Sequence, residues 1–254
     1  MEKIDRKPET FFQKVKRLSA PVMPGVKLWE GARFLLADVP LDPVETRKIL
    51  PWGMRPAKPA KGTLFIADYP KLSFTFPYQE AALLVHVATP LGSGIHCPWM
   101  TVNDDTGLIY GREMLGFPKK WGNFRWNEDG NSVSAGITRR GVEVLKMEGV
   151  KKALETNPGP VLGRKTFNPG GPGSALIFQP IWLFKPRETI LESRLADVKV
   201  TVSESELDPI ARLISGPPTN GRFTVVDILG SSYNLPVGLS GPGWFANTYE
   251  LRFR

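Results

Sequence analysis

Runs of apolar residues that alternate with polar ones recur along the chain and predict β-strands. The runs lie at 31–37, 63–76, 81–87, 99–102, 175–184, 190–202, 223–229 and 249–253. Between 121 and 147, alternating residues flank two turn sequences, at 128–131 and 139–141, which predicts an antiparallel meander. The pattern therefore favours a protein built mainly from antiparallel strands.

The predicted helices are short, and two of them begin at acidic residues that can accept hydrogen bonds from free backbone amides. Asp42 precedes a proline and starts a helix of about two turns that stops at Pro51. The acidic pair at 104–105 starts a second helix, which Gly116 can end in the left-handed conformation. A third short helix is predicted at 206–214.

Glycine and proline account for 25 and 24 of the 254 residues and follow no repeat, which indicates many turns. We expect residues 1–30 to form an extended N-terminal arm and residues 149–173 to form a long loop over one domain. The predicted fold is a single α+β domain over residues 1–254 with a few short helices. Its antiparallel sheet is expected to close into a β-barrel, because closure hides edge strands.

The composition argues against several kinds of protein. One cysteine and two histidines provide neither a disulfide nor a Cys/His zinc site, so we expect no metal. The N-terminal segment lacks an apolar core of the signal-peptide type, and the longest apolar stretches are shorter than the ~20 residues that span a bilayer. We therefore expect a cytoplasmic protein that does not bind membranes. The net charge of +8 comes from scattered pairs, which favours an anionic small substrate over nucleic acid.

The single cysteine is a weak candidate for a nucleophile. Cys97 follows His96 directly, and neighbours on a strand point to opposite faces, so His96 is badly placed to activate the thiol. Because a free cysteine is most often a small core residue, we expect Cys97 to have a packing role.

A lysine pair is the strongest chemical signal in the sequence, although a pair that follows a helix is most often part of a solvated turn. Apolar and aromatic residues surround Lys119 and Lys120, and Pro118 favours an extended backbone, so the pair begins a strand. Side chains alternate along a strand, so one lysine points inward and the other outward. Burial disfavours the charged form of an amine, and an uncharged amine can attack a carbonyl.

The sequence around this pair, GREMLGFPKKWG at 111–122, resembles the core motif of the acetoacetate decarboxylase family. In that motif Gly-Arg-Glu is followed by three residues and then by aromatic-Pro-Lys-Lys, and the family's namesake is itself a known case of an activated lysine. Residues 42–51 and the segment after 174 also resemble the family's layout, so the resemblance covers most of the chain. It implies a closed or cone-like β-barrel, a homo-oligomer, and an enzyme that needs no cofactor because the lysine replaces one.

The resemblance also implies roles for single residues. Lys119 corresponds to the Schiff-base lysine, Lys120 to its cationic neighbour and Glu80 to the active-site carboxylate. From the residues alone, Glu80 is equally compatible with an ordinary turn carboxylate. We expect desolvation, rather than repulsion by Lys120, to keep Lys119 uncharged, with Lys120 held outward.

Aromatic and charged residues beside the lysines complete the predicted site. Phe117 and Trp121 are expected to wall the pocket and keep it dry. Arg112 and Glu113 are expected to have a structural role, in which they fix the preceding helix to the barrel.

The sequence departs from the family pattern at two positions. A second carboxylate is expected near Phe65, where none occurs, and Asp68 is out of register. The substrate-binding arginine is expected at Ala32, but the nearest candidate is Arg33, which on a strand faces the other side unless a bulge restores it. These departures weaken the case for strict acetoacetate decarboxylation and do not affect the lysine chemistry.

The motif and its surroundings predict a Schiff-base lyase that acts on a small 3-oxo or 2-oxo acid. Decarboxylation through a Lys119 iminium and enamine is the first expectation, and an aldolase-dehydratase that uses the same lysine on pyruvate plus an aldehyde stays open. A barrel that binds a metabolite without turnover is the alternative from another class. A salt-bridged or exposed Lys119 that resists carbonyl trapping would favour that alternative.

Overall fold

The computed structural model describes residues 9–19, 23, 25–175, 177–231 and 234–254. Within these ranges the helices are α1 (Phe11–Ser19), α2 (Pro43–Ile49), α3 (Asp105–Ile109) and α4 (Pro242–Phe253), with a π-helical turn at Tyr110–Met114 and a 3-10 turn at Ala211–Leu213. The strands are β1 (Lys27–Pro40), β2 (Arg55–Pro56), β3 (Lys61–Tyr69), β4 (Lys71–Leu72), β5 (Tyr78–Thr89), β6 (Gly92–Val102), β7 (Lys119–Trp121), β8 (Asn123–Asp129), β9 (Ser132–Arg139), β10 (Val142–Leu154), β11 (Thr166–Pro169), β12 (Pro180–Phe184), β13 (Arg187–Val202), β14 (Thr219–Leu229) and β15 (Asn234–Leu239).

All fifteen strands belong to one sheet, which confirms the predicted α+β class with few short helices. The main path runs β15-β12-β11-β6-β5-β3-β1-β14-β13-β10-β9-β8, and its ladders are antiparallel except for β6 with β11. Strand β7 also pairs with β6 in parallel. Closure into a barrel is not observed, because no ladder among the described residues joins β15 to β8. Charged side chains along β8, such as Arg125 paired with Glu143, protect that edge instead.

Each face of the sheet packs into its own core. Core 1 includes Leu35, Leu83, Trp99 and Leu251, whereas core 2 includes the aromatic residues Phe34, Phe65, Tyr69, Tyr78 and Tyr110. Neighbours on β1 such as Phe34 and Leu35 therefore enter different cores. Strands that are buried on both faces need continuous apolar runs, as in β5.

The C-terminal prediction was wrong, because residues 249–253 belong to helix α4 rather than to a strand. Aromatic residues four apart, Phe245, Tyr249 and Phe253, stack along one side of this helix at ring distances of 6.0 and 5.9 Å. Leu251 is buried in core 1 on another side. Five residues are too few to separate this helical spacing from strand alternation.

Four other segments differ from expectation. Residues 149–173 are not one continuous loop, because β10 extends to Leu154 and β11 covers Thr166–Pro169. The supposed arm at 1–30 contains helix α1, and β1 already begins at Lys27, while residues 1–8, 20–22 and 24 lie outside the described residues. Only a 3-10 turn forms within 206–214, and strand β12 covers only the second half of 175–184, in which residue 176 lies outside the described residues. No helix in the described part of the chain combines the length and the apolar character needed to cross a bilayer.

Two acidic N-caps form as predicted. The Asp42 carboxylate accepts hydrogen bonds from the backbone amides of Val44 and Glu45 at 2.8 and 2.9 Å. The Asp104 carboxylate accepts from the Gly107 amide at 2.6 Å and from the Thr75 hydroxyl at 2.8 Å. Helix α3 then widens into the π-helical turn, which ends close to Gly116, where φ is +69°.

Replacing Asp104 by alanine is expected to lower the free energy of unfolding by about 1–2 kcal/mol, because a cap and a side-chain hydrogen bond are both lost. The matched control is Asp105→Ala, which changes an exposed carboxylate in the first helical turn and should cost less than about 0.5 kcal/mol. Urea denaturation of both variants measures the difference. Equal losses would contradict the assignment of Asp104 as the cap.

Candidate active site

Strand β6 brings the motif lysine and the predicted carboxylate together. β5 pairs with one edge of β6 and β7 with the other, so that Ala82, Met100 and Lys119 lie in register across the three strands. Lys119 and Glu80 project from the same face into core 2, where Nζ of Lys119 lies 2.7 Å from Oε2 of Glu80. Both side chains are almost fully buried, with 6% and 4% of their surface exposed.

This contact differs from the isolated amine that the sequence suggested. Lys119 is buried as expected, but it is salt-bridged to Glu80. The salt bridge is one part of the sign that would favour binding without turnover, and resistance to carbonyl trapping is the other part. The attraction within a buried ion pair offsets only part of the free-energy cost of removing its two charges from water. Transfer of one proton from Nζ to Oε2 across this 2.7 Å contact converts the ion pair into an uncharged amine and a neutral acid. Glu80 can therefore act as the base that prepares Lys119 for attack on a carbonyl.

Two tyrosines that the sequence did not single out hold Glu80. Tyr69 donates its hydroxyl to Oε1 of Glu80 at 3.0 Å, and Tyr78 donates to Oε2 at 3.5 Å. The Tyr78 oxygen accepts from the indole of Trp29 at 3.2 Å and from Nζ of Lys119 at 3.5 Å. Burial, and secondly the charge of Glu80, raises the pKa of both tyrosines well above the usual value. Both hydroxyls therefore stay protonated.

The sequence did contain a signal for these tyrosines. Tyr78 precedes Glu80 by two residues on β5 and so shares its face. Tyr69 lies directly opposite Tyr78 on β3. The position of Tyr69 depends on the register between β3 and β5, and spacing in the sequence does not fix that register.

A small cavity of about 30 Å³ lies beside the ion pair. Apart from Glu80 and Lys119 its walls are mainly apolar and aromatic: Trp29, Phe74, Met100, Gly107, Tyr110, Gly111, Leu115, Phe117 and Leu162. Gly111 lies so close to Lys119 that a Cβ atom there would overlap the lysine side-chain carbons. A volume of this size holds about two water molecules. The lysine is thus held in a tight and largely dry site.

Lys120 projects into the opposite core. Its Nζ lies 2.5 Å from Oδ1 of Asp208 and donates to the carbonyls of Leu207 and Glu250 at 3.1 and 3.0 Å. Asp208 also accepts from Arg139 at 2.8 Å. The expected divergence of the two lysines is present, but Lys120 is not held outward into solvent, because core 1 covers that face. Burial lowers the pKa of Lys120 to about 8, although Asp208 acts in the other direction.

Arginines tie the motif to helix α4. Nη1 of Arg112 donates to the carbonyls of Lys119 and Arg252, both at 3.0 Å. Arg252, which is buried, donates through Nη2 to the carbonyls of Gly116 and Pro169 at 3.2 and 2.6 Å. These bonds fix the turn before the lysine strand. Glu113 is exposed and lies outside the cavity lining.

Arg33 does not reach the cavity. It pairs with Asp68 and lies 3.4 Å from Glu128, on the face opposite to core 2. Ala32 occupies the core 2 position instead, because a shift of one residue along a strand reverses the direction of the side chain.

Only one of the two predicted aromatic walls borders the cavity. Phe117 lines it and packs edge-on against Phe184 at 6.4 Å. Trp121 is 47% exposed and is not among the lining residues. It stands at the end of β7, where the strand leaves the core.

The acetoacetate decarboxylase (ADC) family model matches residues 15–235. The chain belongs to the acetoacetate decarboxylase family. No curated protein sequence matches it significantly.

Several solved structures share this fold. The crystal structure of acetoacetate decarboxylase from Legionella pneumophila matches with a TM-score of 0.72 and 15% identity, covering 93% of each chain. Another acetoacetate decarboxylase structure gives a TM-score of 0.73 and 16% identity over 89% of this chain and 99% of that chain. The enduracididine biosynthesis enzyme MppR complexed with pyruvate gives 0.71 and 12% over 82% and 89%. Identities this low show the fold and leave the reaction open.

Within this member of the acetoacetate decarboxylase family, Cys97 is placed as a core residue. Its thiol is buried, and burial raises its pKa strongly. His96 points to the other face, where Nδ1 lies 2.8 Å from the Phe167 carbonyl oxygen. The two side chains therefore form no catalytic pair.

The lowered pKa of Lys120 predicts a pH effect on stability. Between about pH 8 and 10.5 the unfolded chain still binds a proton that the folded protein has released, so stability rises with pH. Relative to Lys120→Met, the wild type should gain up to about 1.4 kcal/mol per pH unit in this window. Urea denaturation across the window measures the gain. The control Lys199→Met changes an exposed lysine and should run parallel to the wild type, and a parallel Lys120→Met curve would contradict the assignment.

Proposed function

We propose that this protein is a Schiff-base lyase that decarboxylates a small 3-oxo acid through Lys119. The observation that carries the proposal is the 2.7 Å contact between Lys119 and Glu80 on the wall of a small and mainly apolar cavity. It supplies a nucleophile and a base within hydrogen-bonding distance, which covalent catalysis by an amine requires.

The reaction would begin with attack of Nζ on the ketone carbon, and loss of water gives an iminium. The bond between C2 and the carboxyl carbon then breaks. Its electron pair forms the C2–C3 double bond while the C=N pair moves to nitrogen, and CO2 leaves. The enamine takes a proton at C2, and water hydrolyses the resulting iminium to release the ketone and free Lys119.

Glu80 would move the protons in these steps. It takes a proton from Lys119 before attack and can return one to the enamine carbon, with Tyr69 and Tyr78 fixing its two oxygens. Positioned proton transfer of this kind contributes typically about 10²–10⁴-fold to a rate.

The lining of the cavity favours decarboxylation over aldol chemistry. Among the described residues that line it, Lys119 is the one with a cationic side chain. In decarboxylation the substrate carboxylate becomes neutral CO2, which an apolar site favours. In an aldol reaction on pyruvate the carboxylate stays charged and needs a partner. Pyruvate also carries its carboxyl on the iminium carbon itself, so loss of CO2 would not place electrons on nitrogen.

Borohydride reduction in the presence of acetoacetate tests the proposal. The expected result is a covalent adduct on Lys119 in the 117–121 peptide, found by mass mapping, together with release of CO2. Lys119→Ala should abolish both. Lys120→Met leaves the cavity wall intact and should lower activity modestly while keeping the adduct.

The other outcomes identify the alternatives. An adduct with pyruvate but not with acetoacetate would indicate an aldolase-dehydratase. If neither ketoacid forms an adduct, the result would favour a protein that binds a ligand without turnover. Glu80→Gln should reduce kcat by about 10²–10⁴-fold. A Glu80→Gln variant with unchanged turnover would remove Glu80 from the mechanism.

A further inference from the structure

A second cavity, of about 530 Å³, lies at the other end of β5 from Glu80. His86 follows Glu80 by six positions along the strand, which corresponds to about 20 Å. We call this cavity the basic groove, and the residues that line it are Ala57, Lys58, His86, Val87, Ala88, Ser93, Gly94, Gly163, Arg164, Lys165 and Lys185. Four of them are cationic, and none of the described lining residues is Asp or Glu.

The cations of the groove are poorly neutralised. Lys165 donates to the Leu91 carbonyl at 2.7 Å, which leaves its charge without a carboxylate. The described part of the chain places no carboxylate within ion-pair distance of Lys58, Arg164 or Lys185, although Arg164 is half-buried. The pKa of His86 falls to about 4, through burial first and the charge of Arg164 second. Like charges that face one cavity raise its potential and attract an anion.

Backbone contacts hold the walls of the groove in place. The amide of Ile95 donates to the Lys165 carbonyl at 2.8 Å, and the amide of Ala57 donates to the His86 carbonyl at 2.9 Å. Glu188 accepts the amides of Val161, Leu162 and Gly163 at 2.7, 2.9 and 2.9 Å. The backbone that carries the cationic side chains is therefore held in place by hydrogen bonds.

We propose that the basic groove binds a small oxyanion, the carboxylate or phosphate group of a metabolite, at a site separate from Lys119. The groove also adjoins one wall residue of the Lys119 cavity. Leu162 lines that cavity, whereas the next three residues line the groove. An anion in the groove would therefore contact residues that directly follow this wall residue.

The two histidines provide the readout for a test. His86 lines the groove, and His96 is fully buried elsewhere. With histidine-labelled protein, titration of inorganic phosphate and, separately, of acetate should shift the ring signals of His86 saturably and leave those of His96 unchanged. Tighter binding of phosphate would assign a phosphate-bearing ligand, and tighter binding of acetate a carboxylate.

Charge removal locates the site. Lys58→Gln/Lys185→Gln changes two exposed side chains and should weaken binding about tenfold or more, as should Arg164→Gln. The control variant Arg194→Gln/Lys199→Gln removes the same amount of charge from β13 and should not weaken anion binding. Lys119→Ala should bind as the wild type does, which keeps this test independent of the proposed lyase. Any of four results would overturn the proposal. In the first two, the His86 shifts never saturate, or the control pair of substitutions weakens anion binding as much as the groove substitutions do. In the other two, anion binding is lost in Lys119→Ala, or only an oligonucleotide saturates the shifts.

Discussion

Side-chain alternation along the three residues of β7 places two adjacent lysines in two different cores. Lys119 enters core 2 and meets Glu80, while Lys120 enters core 1 and meets Asp208. Both faces of the sheet are covered, so neither ammonium reaches water, and a buried cation needs a carboxylate partner. The parallel pairing of β7 with β6 thus determines the positions of both ion pairs.

The two pairs differ in how completely their polar atoms are bonded. Asp208 accepts from Lys120, Arg139 and the indole of Trp99, and two backbone carbonyls take further hydrogens of Lys120. That cluster has the bonding expected of a structural element. The Lys119–Glu80 pair instead borders a cavity of about 30 Å³, which has to widen to admit a ligand the size of a 3-oxo acid. The same residue types therefore serve the fold on one face and support proposed chemistry on the other.

Local signals were readable from the sequence, and non-local ones were not. The strand that begins at Lys119 follows from Pro118 and from alternation, and Glu80 was proposed from the wider resemblance to the family. Asp208 could not be found, because its partnership with Lys120 depends on a turn distant in sequence. Arg33 was the nearest candidate for a substrate-binding arginine, but it lies on the face opposite to core 2, as alternation along the strand alone predicts. The strand predicted at 249–253 was wrong because a pattern this short fits both the helical and the strand period.

The turn before β7 is held by contacts other than the ion pair in core 2. Arg112 and Arg252 already fix the turn before β7 through backbone carbonyls, and Asp208 anchors the next residue from the other face. Replacing a buried ion pair by apolar residues of similar volume is often neutral or stabilising, so the Lys119–Glu80 pair is a poor way to hold strands together. Its position beside a cavity, with Glu80 held by two tyrosine hydroxyls, is instead what proton transfer to and from an amine requires. This contrast between an anchored backbone and an ion pair that borders a cavity supports a chemical role for Lys119.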